Sequence, residues 1–210
     1  MKPPQEAREL FDDPERLALA ERYVDWLTGA GVERGLLGPR EADRIWSRHV
    51  INCAVLGCFL PAGPHSLCDL GSGAGLPGVV LGLMRPEVEG VLLEPLLRRS
   101  TFLREVTDDL GLANLRVVRA RAEEYAGDHP AHDVVVARAV APLIRLVGWA
   151  MPLLHPGGAL LALKGVSAQD ELRDADAVLR SPQIRSAEVL TTAEGGSVTH
   201  VVRIVRGEQP

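Results

Sequence analysis

Three glycines at alternate positions behind an aspartate, Asp69-Leu-Gly71-Ser-Gly73-Ala-Gly75, are the most chemically suggestive residues in this chain. Glycine lets the backbone turn sharply and approach a ligand with no Cβ between them. A helix opening after such a turn offers free N–H groups. Two ligand frames fit. Gly73-Ala-Gly75-Leu-Pro-Gly78 matches the GxGxxG spacing that cradles a dinucleotide pyrophosphate. Asp69 argues against that frame, because a carboxylate at a strand end repels phosphate; it suits a ligand that carries positive charge. Glu94 closes the next apolar run, VLLEP, where a carboxylate can accept from both hydroxyls of a ribose. Arg138 and Lys164 close two later apolar runs, where ligands bind in open α/β sheets, and Arg138 could meet a carboxylate or a phosphate. His49 shares a helix face with Ile45, Asn52 and Leu56. A buried His49–Asn52 pair is the simpler expectation there; the functional one puts His49 and Arg48 at the mouth of a pocket.

The elements that would position these residues follow from periodicity. From His65 onward, short apolar runs at 65–70, 90–94, 115–119, 133–137 and 158–164 alternate with helical patterns at 76–84, 95–110, 121–126 and 141–154. That alternation predicts βαβ units and a mostly parallel sheet, with ligands at the carboxyl ends of the strands. A charged outer helix is expected at 169–179. Strands at 185–191 and 198–206, with a turn at Glu194-Gly195-Gly196, predict an antiparallel hairpin at the sheet edge. Upstream, residues 1–12 read as frayed. Asp13-Pro14 reads as a helix start, and Leu17, Ala20, Val24 and Leu27 recur at helical spacing until Gly29 to Gly31 stop the run. A second helix is expected from Glu41 to Phe59. Leu96, Phe102, Leu103, Val106 and Leu110 read as core.

The frame that begins with Asp69 resembles motif I of the class I S-adenosylmethionine-dependent methyltransferases, whose donor carries a sulfonium and an ammonium group. A longer resemblance runs through the chain. DLGSGAGLPG, Glu94 with Arg98 and RSTFL, RAEE at 121–124, ARAVAPL at 137–143, ALKG at 162–165 and the upstream WSRHVINC together resemble the RsmG (GidB) family. The resemblance covers residues 14–206. It implies a Rossmann-like class I methyltransferase fold and transfer of a methyl group from S-adenosylmethionine to N7 of a guanine in the decoding-site loop of 16S rRNA. By the same resemblance, Gly71 and Leu76 line the methionine and ribose part of the donor. Ala122 and Glu123 contact its adenine, and Arg138 lies beside it. Arg48, His49 and Lys164 also match family positions. The stretch GVERGLLGPREADRIWSRH departs from the family's usual Asn-Leu-Thr-type sequence before this helix, which touches the substrate-facing side of the site rather than the donor side.

Absences narrow the chemistry. Guanine N7 has a lone pair in the neutral base, so its methylation needs orientation rather than a base. Exocyclic-amine methylation is commonly marked by Asn/Asp-Pro-Pro-aromatic after the fourth strand; Ala137-Arg138-Ala139-Val140 stands there instead. Pyrimidine-carbon methylation uses a cysteine near the same place, whereas Cys53, Cys58 and Cys68 all lie at or before the first strand. They read as buried small apolar residues in a reducing compartment, with no metal-ligand spacing. A small-molecule methyltransferase, a nicotinamide-dependent oxidoreductase using the GxGxxG frame and a non-catalytic RNA- or nucleotide-binding module are the competing readings.

With 210 residues, 46% hydrophobic, the chain suits one domain: a helical extension over 1–62 and a donor-binding α/β core over 63–210. No apolar run reaches the length of a membrane span, and no leader opens the chain, so a cytoplasmic monomer is expected. The net charge of -5 excludes non-specific coating of nucleic acid. RNA contact must therefore come from patches: Arg34, Arg40, Arg44 and Arg48, then Arg98 and Arg99, with Arg203 and Arg206 weaker.

Overall fold

The computed structural model describes residues 2–193 and 196–208. The helical extension comprises α1 (Gln5–Leu10), α2 (Pro14–Trp26) and a helical stretch of changing pitch that includes α3 (Asn52–Ala54). The core follows in chain order: β1 (Ser66–Leu70), α4 (Gly78–Met84), β2 (Glu89–Leu93), α5 (Leu97–Leu110), β3 (Leu115–Val118), α6 (Ala122–Asp128) and β4 (His132–Arg138). Then come α7 (Leu143–Ala150), β5 (Leu154–Lys164), α8 (Ala168–Asp174), α9 (Asp176–Leu179), β6 (Ile184–Thr192) and β7 (Thr199–Arg206).

These strands form one seven-stranded sheet in the order β3-β2-β1-β4-β5-β7-β6. β1 to β5 run parallel, while β7 inserts antiparallel between β5 and β6. The expected closing hairpin is therefore present, with its second strand the inner one. Glu194 and Gly195 of its expected turn lie outside the described residues. The strand order reverses between β1 and β4, and the crevice above such a reversal is where open α/β sheets bind ligands.

The central strands read as unbroken apolar runs because both sheet faces are covered. Successive side chains divide between two cores. Val134 and Val136 enter the core shared with α2, α4, α5 and the extension; Val135 and Ala137 enter the one built with α6, α7 and α8. Parity then aims the strand-end residues. Asp69 and Arg138 point toward the extension, Lys164 toward α8.

The extension departs from expectation in three places. Residues 2–12 are not frayed: α1 forms, and Ala7 and Phe11 are buried in the core, which ties the segment down. Asp13 caps α2 as expected, its Oδ1 accepting from Glu15 N at 2.8 Å. Gly29 and Gly31 do not stop the run. The chain widens into one π turn over Leu27–Gly31 and ends at Gly35, whose φ is +63°. The second helix is not uniform either. It runs as 3₁₀ over Pro39–Arg44, π over Ile45–Ile51, α over α3 and 3₁₀ over Val55–Phe59. Within the core, Leu96 is exposed rather than buried, since it precedes α5 instead of joining its inner face. Cys53 and Cys68 are buried as expected, but Cys58 is exposed.

Candidate active site

The glycine loop is shaped from below by Asp69. Its carboxylate is fully buried, and Oδ2 accepts from Ser72 Oγ at 2.5 Å and from Gly78 N at 2.9 Å. Oδ1 is buried without a hydrogen-bond partner among the described residues. Burial pushes the Asp69 carboxyl up to about 6, against the lowering effect of these two hydrogen bonds. Asp69 therefore does not face a ligand, as its charge alone suggested; it ties the loop to the start of α4. In doing so it occupies the helix N-terminus that a pyrophosphate would need in the GxGxxG frame.

A stability prediction follows from this burial. With its folded pKa raised, Asp69 holds a proton more readily in the native than in the unfolded chain. Its contribution is complete below the ordinary carboxylate range and is lost as pH rises through about 6. Asp69→Asn should therefore gain stability relative to the native protein between pH 4 and pH 7, by up to about 3 kcal/mol. Urea denaturation of both proteins at the two pH values checks this; a pH-independent difference would contradict it.

Above the loop, Glu94 sits at the end of β2 and is buried. Its Oε2 accepts from Gly73 N and its Oε1 from Leu96 N, both at 2.9 Å. Each carboxylate oxygen keeps a further lone pair for a hydroxyl donor. Gly71 has φ +71°, and a Cβ there would lie 2.9 Å from Val140 Cγ2. Gly71, Glu94, Pro95, Arg99, Ala120 and Arg121 help to line a pocket of about 610 Å³. A buried acceptor pair facing a glycine cradle fits a nucleoside. Of the expected contact residues, Ala122 is buried at the start of α6 and Glu123 points to solvent; Ala120, Arg121 and Glu124 take the pocket wall instead. Gly75 and Leu76 belong to the loop but are not among the residues that line that pocket. A Cβ on Gly75 would lie 2.5 Å from Val79 Cγ2 and 2.8 Å from the Tyr23 hydroxyl.

A second and larger cleft, of about 1010 Å³, adjoins the first. Ala139 and Val140 line both, so the loop between β4 and α7 is their common wall. Ala139 is held at φ +54°, an uncommon conformation for a residue with a side chain. Arg138, Lys164 and His49, which sequence reasoning drew from three separate segments, meet in this cleft.

Arg138 is committed to the extension, not to an open anion position. Nη1 donates to the His49 carbonyl at 3.4 Å and to Cys53 Sγ at 3.1 Å; Nη2 donates to the Arg48 carbonyl at 3.0 Å and to His49 Nδ1 at 2.9 Å. The accepting Nδ1 leaves the ring proton on Nε2, which donates to Glu41 Oε2 at 2.8 Å. The expected His49–Asn52 pair does not form; Asn52 donates to Thr199 Oγ1 at 3.0 Å. Burial lowers the His49 pKa, opposed by the Glu41 hydrogen bond and reinforced by the Arg138 charge. His49 is thus neutral at neutral pH, as its bond from Arg138 requires. Lys164 Nζ donates to Glu171 Oε2 at 2.7 Å and to the Ala141 carbonyl at 2.9 Å, and Glu171 Oε2 also accepts from Leu143 N at 3.0 Å. Lys164 thereby fastens the same dividing loop from the other side.

Sequence reasoning missed Tyr23, Glu41, Cys53, Val140 and Glu171. Tyr23 is fully buried and donates to the Ala74 carbonyl at 2.8 Å, bracing the glycine loop from α2. Cys53 comes close to the site in space though not in sequence. Its thiol is completely buried and burial raises its pKa, the opposite of what a nucleophile needs. Of the basic candidates, Arg34 pairs with Glu105, Arg48 with Glu41 and Arg203 with Glu188, while Arg206 donates to the carbonyls of Met151 and Leu154. Arg40, Arg44 and Arg98 are exposed. No cluster of metal-binding side chains occurs among the described residues.

A reversed-order α/β sheet closed by an antiparallel inner strand, with a pocket at its switch point, defines a Rossmann-like methyltransferase fold. Solved structures share it. A cofactor-bound protein of MTB, Rv0187, superposes with TM-score 0.62 at 16% identity, over 96% of this chain and 94% of that one. A SAM-dependent O-methyltransferase of Thermotoga maritima superposes with TM-score 0.59 at 12% identity, over 76% of this chain and 66% of that one. Sequence places the chain more narrowly. Residues 16–201 match the GidB family model, rRNA small subunit methyltransferase G. A ribosomal RNA small subunit methyltransferase G of Streptomyces coelicolor is 51% identical, over 99% of this chain and 86% of its own length. That of Thermobifida fusca is 51% identical, over 97% and 84%. The chain belongs to the rRNA small subunit methyltransferase G family, and its methyl donor is S-adenosylmethionine.

Proposed function

We propose that this chain transfers a methyl group from S-adenosylmethionine to N7 of a guanine in the decoding-site loop of 16S rRNA. The observation that carries the reading is the pair of clefts sharing one thin wall, one suited to a nucleoside and the other large enough for a nucleotide and lined by cationic and neutral donors. Family membership favours an rRNA substrate over a small molecule and over nicotinamide chemistry.

The bound donor supplies a methyl group activated by its positively charged sulfur. The chain's own residues then have three tasks. Glu94 would hold the ribose hydroxyls, and Gly71 would let the backbone approach the donor; Gly73, Gly75 and Leu76 shape the loop, with Asp69 tying it down. Arg138, His49 and Lys164 fix the Ala139–Val140 wall between the two clefts, against which the target base would be oriented. Since N7 is a lone-pair nucleophile, holding it in line suffices, and the neutral His49 need not take a proton. Ala122 and Glu123 act through the start of α6, behind Arg121. The guanine must be accessible in a loop or turned out of its stack.

The chain works as a single domain, its extension and α/β core sharing one buried cluster from Ala7 to Val201. We read it as a cytoplasmic monomer acting on the small subunit or an assembly intermediate; no helix among the described residues is long and apolar enough to cross a membrane. Complementation tests the reading. A strain lacking its own family member should regain one N7-methylguanine in 16S rRNA when it expresses this chain, as read by mass spectrometry of the decoding-site fragment. An unmodified fragment despite soluble expression would refute it.

A further inference from the structure

The five large apolar side chains that stand exposed among the described residues are Leu96, Leu97, Ile144, Val166 and Val198. All five lie at the carboxyl edge of the parallel strands, in loops or first helical turns around the two clefts. Val166 is 92% exposed and Val198 63% exposed, and both line the larger cleft. Val166 lies in the turn that follows β5 and Val198 just ahead of β7, so two separate loops bring them to the same cleft. Lys164 and His200 form the last rung between β5 and β7. Beyond that rung both chains leave the sheet, Val166 into the turn before α8 and Val198 into the loop before β7. Exposed apolar area contributes nothing to folding, so this pair is left for something that arrives.

The surrounding charge selects the arrival. Arg48, Arg98, Arg119, Arg121 and Arg145 lie on the same edge, and all five are exposed. Arg98, Arg119, Arg121 and Arg145 join no ion pair among the described residues; Arg119 donates to the Pro95 carbonyl, and Arg145 lies 5.2 Å over the Trp149 ring. A chain of net charge -5 thus gathers unpaired cations where its apolar side chains are bare. Neighbouring apolar and cationic groups match an RNA strand, whose unstacked bases bury apolar area while its phosphates meet arginine.

We propose that Val166 and Val198 form an apolar ledge that receives a nucleobase flanking the target guanine, with the arginines of this edge holding the adjoining phosphates. The proposal rests on the rRNA reading above. Turning a guanine out of its stack strips its neighbour of a stacking partner; the ledge supplies a replacement beside the cleft that takes the guanine.

The test is the double variant V166S/V198S, assayed for methyl transfer to small ribosomal subunits that lack this modification and for binding to protein-free 16S rRNA. KM for subunits and Kd for the rRNA should both rise about tenfold, because the apolar area that the base and the valines cover is no longer removed from water. S-adenosylmethionine affinity and Tm should stay as in the native protein, because neither valine touches the donor pocket or the core. V166F/V198S should recover much of the lost affinity through its aromatic face. Unchanged KM and Kd in the double variant, with normal transfer by the native protein, overturns the ledge alone. A raised KM with unchanged Kd for protein-free rRNA would assign the patch to a ribosomal protein and also overturn it. No transfer by the native protein overturns the rRNA reading and the ledge together.

Discussion

Gly71→Ala is expected to weaken S-adenosylmethionine binding about a hundredfold while leaving the chain folded. The added Cβ meets Val140 Cγ2 at 2.9 Å and Cγ1 at 3.2 Å, and the residue must keep φ +71°. The left-handed conformation costs about 1–2 kcal/mol for a residue with a side chain, and crowding a packed contact adds about 1–3 kcal/mol. A hundredfold loss of affinity corresponds to about 2.8 kcal/mol. Because Val140 is half of the clash, V140A should restore part of the binding when added to G71A. Calorimetric titration of both variants measures this as a non-additive pair. Native affinity in G71A would mean that the wall moves aside freely. No rescue by V140A would place the damage in the backbone rather than in the wall.

Arg138→Ala should have the second large effect, on two readouts at once. Removing the guanidinium leaves His49 Nδ1 and the carbonyls of Arg48 and His49 without the donor that now reaches them. Stability should fall by about 1–3 kcal/mol, a larger share than a surface arginine would carry. The Ala139–Val140 wall loses its anchor to the extension, and kcat/KM should drop about a hundredfold, the effect a misplacement of roughly 1 Å can have. Arg138→Lys should recover little, because an ammonium cannot span two carbonyls and a ring nitrogen as the planar fork does. Hydrogen exchange over residues 45–54 should rise in both variants. Unchanged Tm and kcat/KM in Arg138→Ala would make it an ordinary surface residue.

What could be read from the sequence was what periodicity and spacing encode. Each strand of the core falls where an apolar run predicted it, because parallel strands buried on both faces must be apolar throughout. Gly71 and Glu94 were legible because a tight βα turn and a strand-end carboxylate leave local marks. What escaped notice depends on contacts between distant segments. Asp69 looked like a ligand group, since nothing in the sequence says that Ser72 and Gly78 would bury it. His49 and Asn52 share a helix face, yet the π turn carries His49 to Arg138 and Glu41, and Asn52 to Thr199, 147 residues away. Tyr23 gave no signal at all, because its value lies in the reach of its hydroxyl to Ala74, 51 residues on. The π pitch itself is a tertiary outcome, adopted where the helix carbonyls turn toward a guanidinium, and such turns recur at functional sites.

The proposed activity is methylation of one guanine of the small-subunit rRNA at N7. Its most direct test is transfer of a labelled methyl group from S-adenosylmethionine to small ribosomal subunits from a strain lacking the modification, followed by mapping of the label. A single N7-methylguanine in the decoding-site loop is the expected result. Clear donor binding with no label in any RNA, or label on another atom, would contradict it.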